Sequence, residues 1–171
     1  MIDPFELALQ LKDCLCDRLS ETVLGPVCKC TLYPSNVPTA DICSKTLVGN
    51  GEAKIHVNRI FNTRDFPNPL DRENCANYVA VELVITVRRC APTMGNQGEL
   101  PNEEDLELAL LGILDDAHAM RCAVMCCTDA KLITVGDWTL LSLQGGCMGG
   151  QLISTIGIDQ ASCDLGSVGS L

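Results

Sequence analysis

The sequence "NYVAVELVITVRRC" (Asn77–Cys90) decides the fold of this 171-residue chain. Apolar residues alternate along it, so that five of them share one face: Val79, Val81, Leu83, Ile85 and Val87. The opposite face carries Glu82 and Arg88. A period of two with one polar face is typical of a strand in an antiparallel sheet that is covered on one side. We therefore predict a half-buried strand here.

Helices are predicted on both sides of this strand along the chain. The first runs from Pro4 to about Thr22, with Asp3 as its N-cap, because proline is tolerated in the first turn. The second begins after Asn102, a predicted N-cap, and continues to near Cys127. Its helical period predicts a buried stripe made of Leu106, Leu110, Ile113, Ala117, Met120 and Val124.

Four further strands complete the predicted elements, at residues 27–33, 51–63, 132–144 and 151–159. Strands that follow one another directly favour antiparallel pairing over a doubly wound parallel sheet. We therefore predict an α+β fold, with one mainly antiparallel sheet and two main helices packed on one face. A single domain is expected over residues 1–159, followed by a small, polar and flexible C-terminal tail at 160–171.

A glycine cluster, "LQGGCMGGQLIS" (Leu143–Ser154), lies between two of the apolar runs. It lacks the Lys-Ser/Thr pair of a phosphate-binding loop, and a strand pattern rather than a helix follows it. Two apolar runs joined by glycines are typical of a hairpin, in which glycine adopts positive φ at no steric cost. We predict that the cluster turns the chain.

The net charge is −10, from 22 acidic residues against 12 Lys and Arg. This balance argues against ordinary nucleic-acid binding, which needs clustered positive charge. No apolar run approaches the roughly 20 residues that a membrane span requires. The first residues also lack the basic-then-apolar layout of a signal peptide. We therefore expect synthesis in the cytoplasm and no membrane association.

Twelve cysteines are many for a 171-residue chain in which we identify no secretion signal. Reduced cysteines also serve as small buried hydrophobes, so the sequence alone leaves their pairing open. We expect any disulfides to be drawn from Cys28, Cys43, Cys75, Cys90, Cys126, Cys127 and Cys147. The cysteine pairs are adjacent or separated by one residue, which is a poorer chelating arrangement than the CxxC pairs of zinc sites. We predict no metal site and no cofactor.

Catalytic residues are not apparent. The two histidines, His56 and His118, belong to different predicted elements, and no nucleophile stands in a known motif with an activating base. In "LDDAHA", the side chains of Asp115, Asp116 and His118 are predicted to lie on a solvated helix face, since nothing else converges on them. We therefore expect that the protein is not an enzyme.

Four stretches resemble the tail terminator (head-to-tail connector) proteins of long-tailed bacteriophages of actinobacteria. They are "GPVCKCTLYPSNVPTADIC", "VRRCAP", "DDAHAMRCAVMCC" and "GDWTLLSLQGGCMGGQLISTIGID", spread from Gly25 to Asp159. The run from Trp138 to Gly150 is the most specific of them. The fold that this resemblance implies, an α+β domain with a sheet flanked by helices, agrees with the element order above.

The resemblance implies a structural virion protein at the head–tail joint, assembled in the host cytoplasm. Such proteins form a homo-oligomeric ring, expected to be a hexamer, on the last ring of the tail tube. The ring ends tube growth and presents a surface to the head-completion (connector) protein. DNA passes through its lumen without specific binding.

An acidic lumen would let DNA slide, because like charges repel. A ring of six copies would carry a net charge of −60, six times −10. The acids expected to line the lumen are Asp41, Asp65, Asp71 and Glu73. They lie in two long predicted loops, at residues 34–51 and 64–76, which we expect to contact neighbouring copies, the tube or the connector.

Two alternatives remain open at this stage. One is a head-completion protein of the neck, a stopper or adaptor, although adaptors tend to be mostly helical and this chain is rich in strands. The other is a cysteine-rich metal-binding or redox protein. The zinc content of the purified reduced protein would separate this second alternative from both virion proteins.

Overall fold

The computed structural model of the chain describes residues 3–34, 51–70, 78–92, 94, 99–144 and 146–159. Two helices and five strands occur in the predicted order, which confirms the α+β fold class. No helix in these ranges is long and apolar enough to span a membrane. The elements are α1 (Pro4–Ser20), β1 (Lys29–Tyr33), β2 (Gly51–Thr63), β3 (Tyr78–Cys90), α2 (Glu103–Cys126), β4 (Leu132–Gln144) and β5 (Cys147–Asp159).

Both helices begin at the predicted N-caps. The Asp3 carboxylate accepts a hydrogen bond from the backbone N–H of Phe5 at 2.9 Å. The Asn102 side-chain oxygen accepts one from the backbone N–H of Asp105 at 2.7 Å. These bonds satisfy backbone donors that have no partner inside the helix, which is why such residues start helices.

The five strands form one sheet in the order β1-β2-β3-β5-β4. The pairs β2–β3, β3–β5 and β4–β5 are antiparallel, as predicted. The pair β1–β2 is parallel, so the sheet is mixed. A parallel pair needs a crossover connection of a dozen or more residues, and the long stretch 34–50 is long enough to supply one.

The glycine cluster divides between the β4–β5 turn and strand β5. Gly146 has a φ of 72° at the turn, as predicted. Strand β5 begins at Cys147 rather than at Gln151, so Gly149 and Gly150 lie within it. A side chain at Gly150 would collide with the indole ring of Trp138, and one at Gly149 with the neighbouring strand's backbone. These two glycines therefore permit close packing rather than a turn.

The core lies between the sheet and the two helices. Helix α1 packs against β1 and β2, and α2 packs against β3, β4 and β5. Four leucines of α1, Leu7, Leu11, Leu15 and Leu19, are fully buried. The predicted apolar face of β3 faces them, with Val81, Leu83, Ile85 and Val87 buried in the same cluster.

The other face of the sheet carries a buried polar cluster on β2. The side chains of Glu52 and Lys54 form an ion pair at 2.8 Å. His56 follows on the same face and is only 8% exposed. Burial, and then the positive charge of Lys54, lower the pKa of His56 below its ordinary value of 6.5. His56 is therefore held in its neutral form more firmly than a histidine in water.

Two disulfides connect α1 to its neighbours. Cys14 is bonded to Cys127 at the end of α2, and Cys16 is bonded to Cys30 in β1. Each pair has a Cα–Cα distance of 6.2 Å, within the bridgeable range. Helix α1 is thus tied covalently to the other helix and to the sheet.

The disulfide pool predicted from sequence requires correction. Cys127 and Cys147 are disulfide-bonded, but Cys28, Cys90 and Cys126 carry thiols. The bridged residues Cys14, Cys16 and Cys30 were not in the predicted pool. They are paired because α1 lies beside β1 and the end of α2, a proximity that residue spacing does not reveal. The remaining two pool members, Cys43 and Cys75, lie outside the described residues.

Candidate functional site

The rotation of α2 about its own axis is set by a buried ion pair. The Nε and Nη2 atoms of Arg89, on β3, donate to the two carboxylate oxygens of Asp116 at 2.8 and 2.7 Å. The Arg89 side chain is 0% exposed and that of Asp116 is 5% exposed. Because an unpaired buried charge is costly, this bidentate pair forces the Asp116 side of α2 against the sheet.

The same ion pair holds the connection between α1 and β1. The Nη1 atom of Arg89 donates to the carbonyl oxygen of Gly25 at 2.8 Å, and Nη2 donates to the hydroxyl of Thr22 at 3.2 Å. The Asp115 carboxylate accepts the backbone N–H of Val23 at 2.8 Å. The prediction of a solvated acidic face is therefore wrong for Asp116, which is a buried structural residue.

Small residues on α2 allow this close packing. Four of the eight buried positions are alanine or glycine, and Gly112 leaves room for the side chain of Leu24. Ile113, Met120 and Val124 are buried as predicted. The predicted buried stripe is wrong for Leu106 and Leu110, which are 50% and 57% exposed. Leu110 lies about 120° around the helix from Asp116, the centre of the buried side. Leu106 lies in about the same direction as the buried Val124, and it is exposed near the start of the helix.

The exposed leucines in the first half of α2 form an apolar surface. We call it the α2 leucine face and define it as Leu106, Leu110, Leu111 and Leu114, each at least half exposed. Successive residues turn by about 100°, so Leu114 points about 200° away from the buried Asp116. Half-exposed leucines at this density mark a contact surface more often than an ordinary solvated helix face.

Strand β4, at the edge of the sheet, also carries exposed leucines. Leu140 is 61% exposed and Leu143 is 66% exposed. Helix α2 ends close in sequence to the start of β4, so its first half lies toward the β4–β5 turn, as does Leu143. The first half of α2 and the end of β4 therefore lie toward the same end of the sheet.

A second apolar surface lies at the opposite edge of the sheet. It is an open groove of about 580 Å³ between the start of α1, the end of β1 and strand β2. Its lining includes Leu32 and Ile55, together with Phe5 and Ile60, which are 63% and 53% exposed. We call it the α1–β2 groove. Alongside the groove, β2 continues past His56, where its pairing with β1 ends.

Only one of the predicted lumen acids can be located. Asp65 is exposed and lies just after β2, where its carbonyl oxygen accepts the backbone N–H of Asn68 at 2.8 Å. The other three, Asp41, Asp71 and Glu73, lie outside the described residues, as does most of the two loops predicted to make contacts. Within 64–70, Leu70 donates its N–H to the carbonyl oxygen of Asn62 at 3.0 Å, which folds this segment back on the end of β2.

The exposed leucines could have been suspected from sequence. Helix α2 carries leucine at 106, 108, 110, 111 and 114, which is too many directions for one buried stripe. In the described part of the chain, no group of three or more His, Cys, Asp or Glu side chains is arranged to hold a metal ion. The exposed apolar residues described above form two surfaces, the α2 leucine face and the α1–β2 groove.

Comparison with known proteins adds no assignment. No protein-family model matches the chain, and no curated protein is significantly similar to it.

Proposed function

We propose that this chain is a structural protein that forms a ring at the head-proximal end of a phage tail, where it ends tube growth and joins the tail to the head. The observation that carries the proposal is the pair of apolar surfaces at opposite edges of one sheet. The sequence resemblance to tail terminators supplies the biological setting.

A closed ring requires a heterologous interface, in which each copy offers one surface to one neighbour and a different surface to the other. The α2 leucine face and the α1–β2 groove meet this requirement, because they are both apolar and differ in shape. The leucine face is a convex helix surface, whereas the other surface is concave. We infer that the leucine face of one copy packs into the groove of the next.

The expected strength of this contact explains how such a ring would assemble. Burying the exposed half of a leucine contributes about 1 kcal/mol, so the four residues of the face contribute about 4 kcal/mol. Association of two proteins opposes this with roughly 4–15 kcal/mol of lost freedom. The ring is therefore expected to be weak in isolation and to form on the end of the tail tube, which supplies a template.

The acidity of the chain fits a ring through which DNA travels. A net charge of −10 per copy repels the DNA backbone and disfavours adhesion. Exposed Asp65, just after β2, is the one described acid that we assign to the lumen. A head-completion protein of the neck is the competing assignment, and the experiment below separates the two.

Electron microscopy of particles assembled without this protein tests the proposal. Overlong headless tails beside filled tailless heads would support a terminator. Tails of normal length, detached from heads, would assign the protein to the head side of the joint. Normal infectious particles would overturn a role at the joint altogether.

The interface can be tested with paired variants of the same chain. Leu114→Glu should break the leucine face, and Ile60→Glu should break the groove. Each alone should abolish ring formation on tails, whereas Val23→Glu, at a side chain that is 61% exposed elsewhere, should not. When a mixture of the first two variants is cross-linked on tail ends, it should give heterodimers and nothing larger, because one intact interface remains.

A further inference from the structure

A cysteine and a histidine lie in contact on α2, outside the two apolar surfaces. The Sγ atom of Cys122 is 3.4 Å from the Nε2 atom of His118, one helical turn earlier. They line a cleft of about 210 Å³ between α2 and the end of α1, together with Arg18, Glu21 and Asp115. A thiol within hydrogen-bond reach of an imidazole is the basic unit of cysteine nucleophiles.

The geometry points to Cys122 as a nucleophilic thiol that exchanges with a small disulfide, with His118 as its base. Accessibility alone predicts a different order of reactivity. Cys126 lies one turn further along α2 and is exposed, as is Cys28, whereas Cys122 is only partly exposed. Of these three thiols, Cys122 is the one in contact with a histidine. A faster reaction at Cys122 than at Cys126 or Cys28 would therefore not be explained by the exposure of the thiols.

The exchange step is balanced without any further oxidant. His118 takes the thiol proton of Cys122, and the resulting thiolate attacks one sulfur of the small disulfide. A new S–S bond forms at Cys122 while the original S–S bond breaks, and its electron pair leaves with the departing sulfur. The departing thiolate takes up the proton from His118. Cys122 ends as a mixed disulfide, and the small disulfide has been reduced by half.

The charges of the cleft select the class of disulfide. Two carboxylates, of Glu21 and Asp115, stand against one guanidinium, of Arg18. A small disulfide that carries positive charge is therefore favoured over one that carries carboxylates. Cystamine is a suitable probe, because it is small and has an amine at each end.

The test measures initial rates of mixed-disulfide formation with cystamine at neutral pH, resolved by mass spectrometry for Cys122, Cys126 and Cys28. An unassisted thiol is only a few per cent thiolate at neutral pH, so complete conversion to thiolate can raise its reaction rate by at most about 30-fold. We expect Cys122 to react about tenfold faster than Cys126. His118→Gln should reduce the Cys122 rate to that of Cys126. The Cys126 rate in the same variant is the internal control.

His118 is exposed, so its replacement should leave the fold intact, which circular dichroism checks. A Cys122 rate no higher than that of Cys126 would overturn the inference. A His118→Gln variant whose Cys122 rate falls less than about threefold would also overturn it, since activation would then not come from the imidazole. The inference does not depend on the proposed ring, and its failure would leave that proposal untouched.

Discussion

Replacing Asp116 by leucine should strongly destabilise the fold. The substitution leaves the guanidinium of Arg89 at a position where its side chain is 0% exposed, without the carboxylate that accepts two of its hydrogen bonds. Removing one member of a buried pair typically costs about 3–5 kcal/mol, because the remaining charge is uncompensated. In a chain of this length each kcal/mol corresponds to about 2–4 °C, so we expect the Tm to fall by about 10 °C.

The double variant Arg89→Met/Asp116→Leu separates the charge from the contacts. It removes both charges, and hydrophobic replacement of a whole buried pair is often close to neutral. The carbonyl oxygen of Gly25 and the hydroxyl oxygen of Thr22 still lose their Arg89 donors, at a cost of about 1–3 kcal/mol. We therefore expect the double variant to be about 2 kcal/mol more stable than the single Asp116→Leu variant.

Urea denaturation followed by circular dichroism measures these free energies of unfolding. The matched control is Glu82→Leu, which removes the carboxylate partner of Arg59 at 2.8 Å. The Arg59 side chain is 53% exposed, so water can replace its partner, and the cost of the lost pair should stay below about 1 kcal/mol. The reasoning is refuted if Asp116→Leu costs no more than this control, or if the double variant is no more stable than Asp116→Leu.

Three further predictions concern the disulfides, the glycine strand and the far face of the sheet. Cys14→Ser opens a disulfide with a sequence separation of 113 and should lower the free energy of unfolding more than Cys16→Ser, which opens one with a separation of 14. The chain-entropy account gives losses of about 5 and about 3 kcal/mol. Denaturation without reductant measures both, and equal losses would contradict this account. Gly150→Ala should lower the free energy of unfolding by about 1–3 kcal/mol, because the added methyl group meets the ring of Trp138. It should also change the fluorescence of Trp138, which is the only tryptophan. Unchanged emission and stability would contradict this prediction. The folded-state pKa of His56 lies below 6.5, so the contribution of His56 to stability is complete above pH 6.5 and is lost as the pH falls through the folded-state pKa. His56→Gln should therefore flatten the dependence of stability on pH between these two values. An unchanged curve would exclude His56 as the source of that dependence.

Local sequence rules were sufficient for the elements and their caps. Asp3 and Asn102 start the helices, and the alternation in β3 correctly gives the face that packs on the helices. The prediction of a half-buried strand is wrong for the other face, where Ala80 and Val84 are also buried. The caps and the alternation depend on neighbours within a few residues, so they can be predicted from a single sequence. The order of strands along the chain likewise indicated the fold class, apart from the parallel pairing of β1.

The candidate surfaces were less accessible from sequence. The periodicity of α2 places Leu110 in the predicted buried stripe, whereas the structure leaves it more than half exposed. Leu110 is as apolar as the residues that replace it in the core, and its exposure depends on the packing of Asp116 and the small residues of α2 against the rest of the domain. A periodicity analysis assigns only apolar residues to the buried side of a helix. It therefore does not include an acidic residue that pairs with an arginine from another element.

The sequence by itself therefore determined which segments are helices and strands, their order, the acidity of the chain and the resemblance on which the proposed function rests. The tertiary structure decided the rotation of α2, the partners of Cys14 and Cys16, and the position of the two apolar surfaces at opposite edges of the sheet. The physical reason is the same in each case. These features depend on pairs such as Arg89 and Asp116, which are far apart in the chain and whose interaction exists only when the sheet and the helices have packed together.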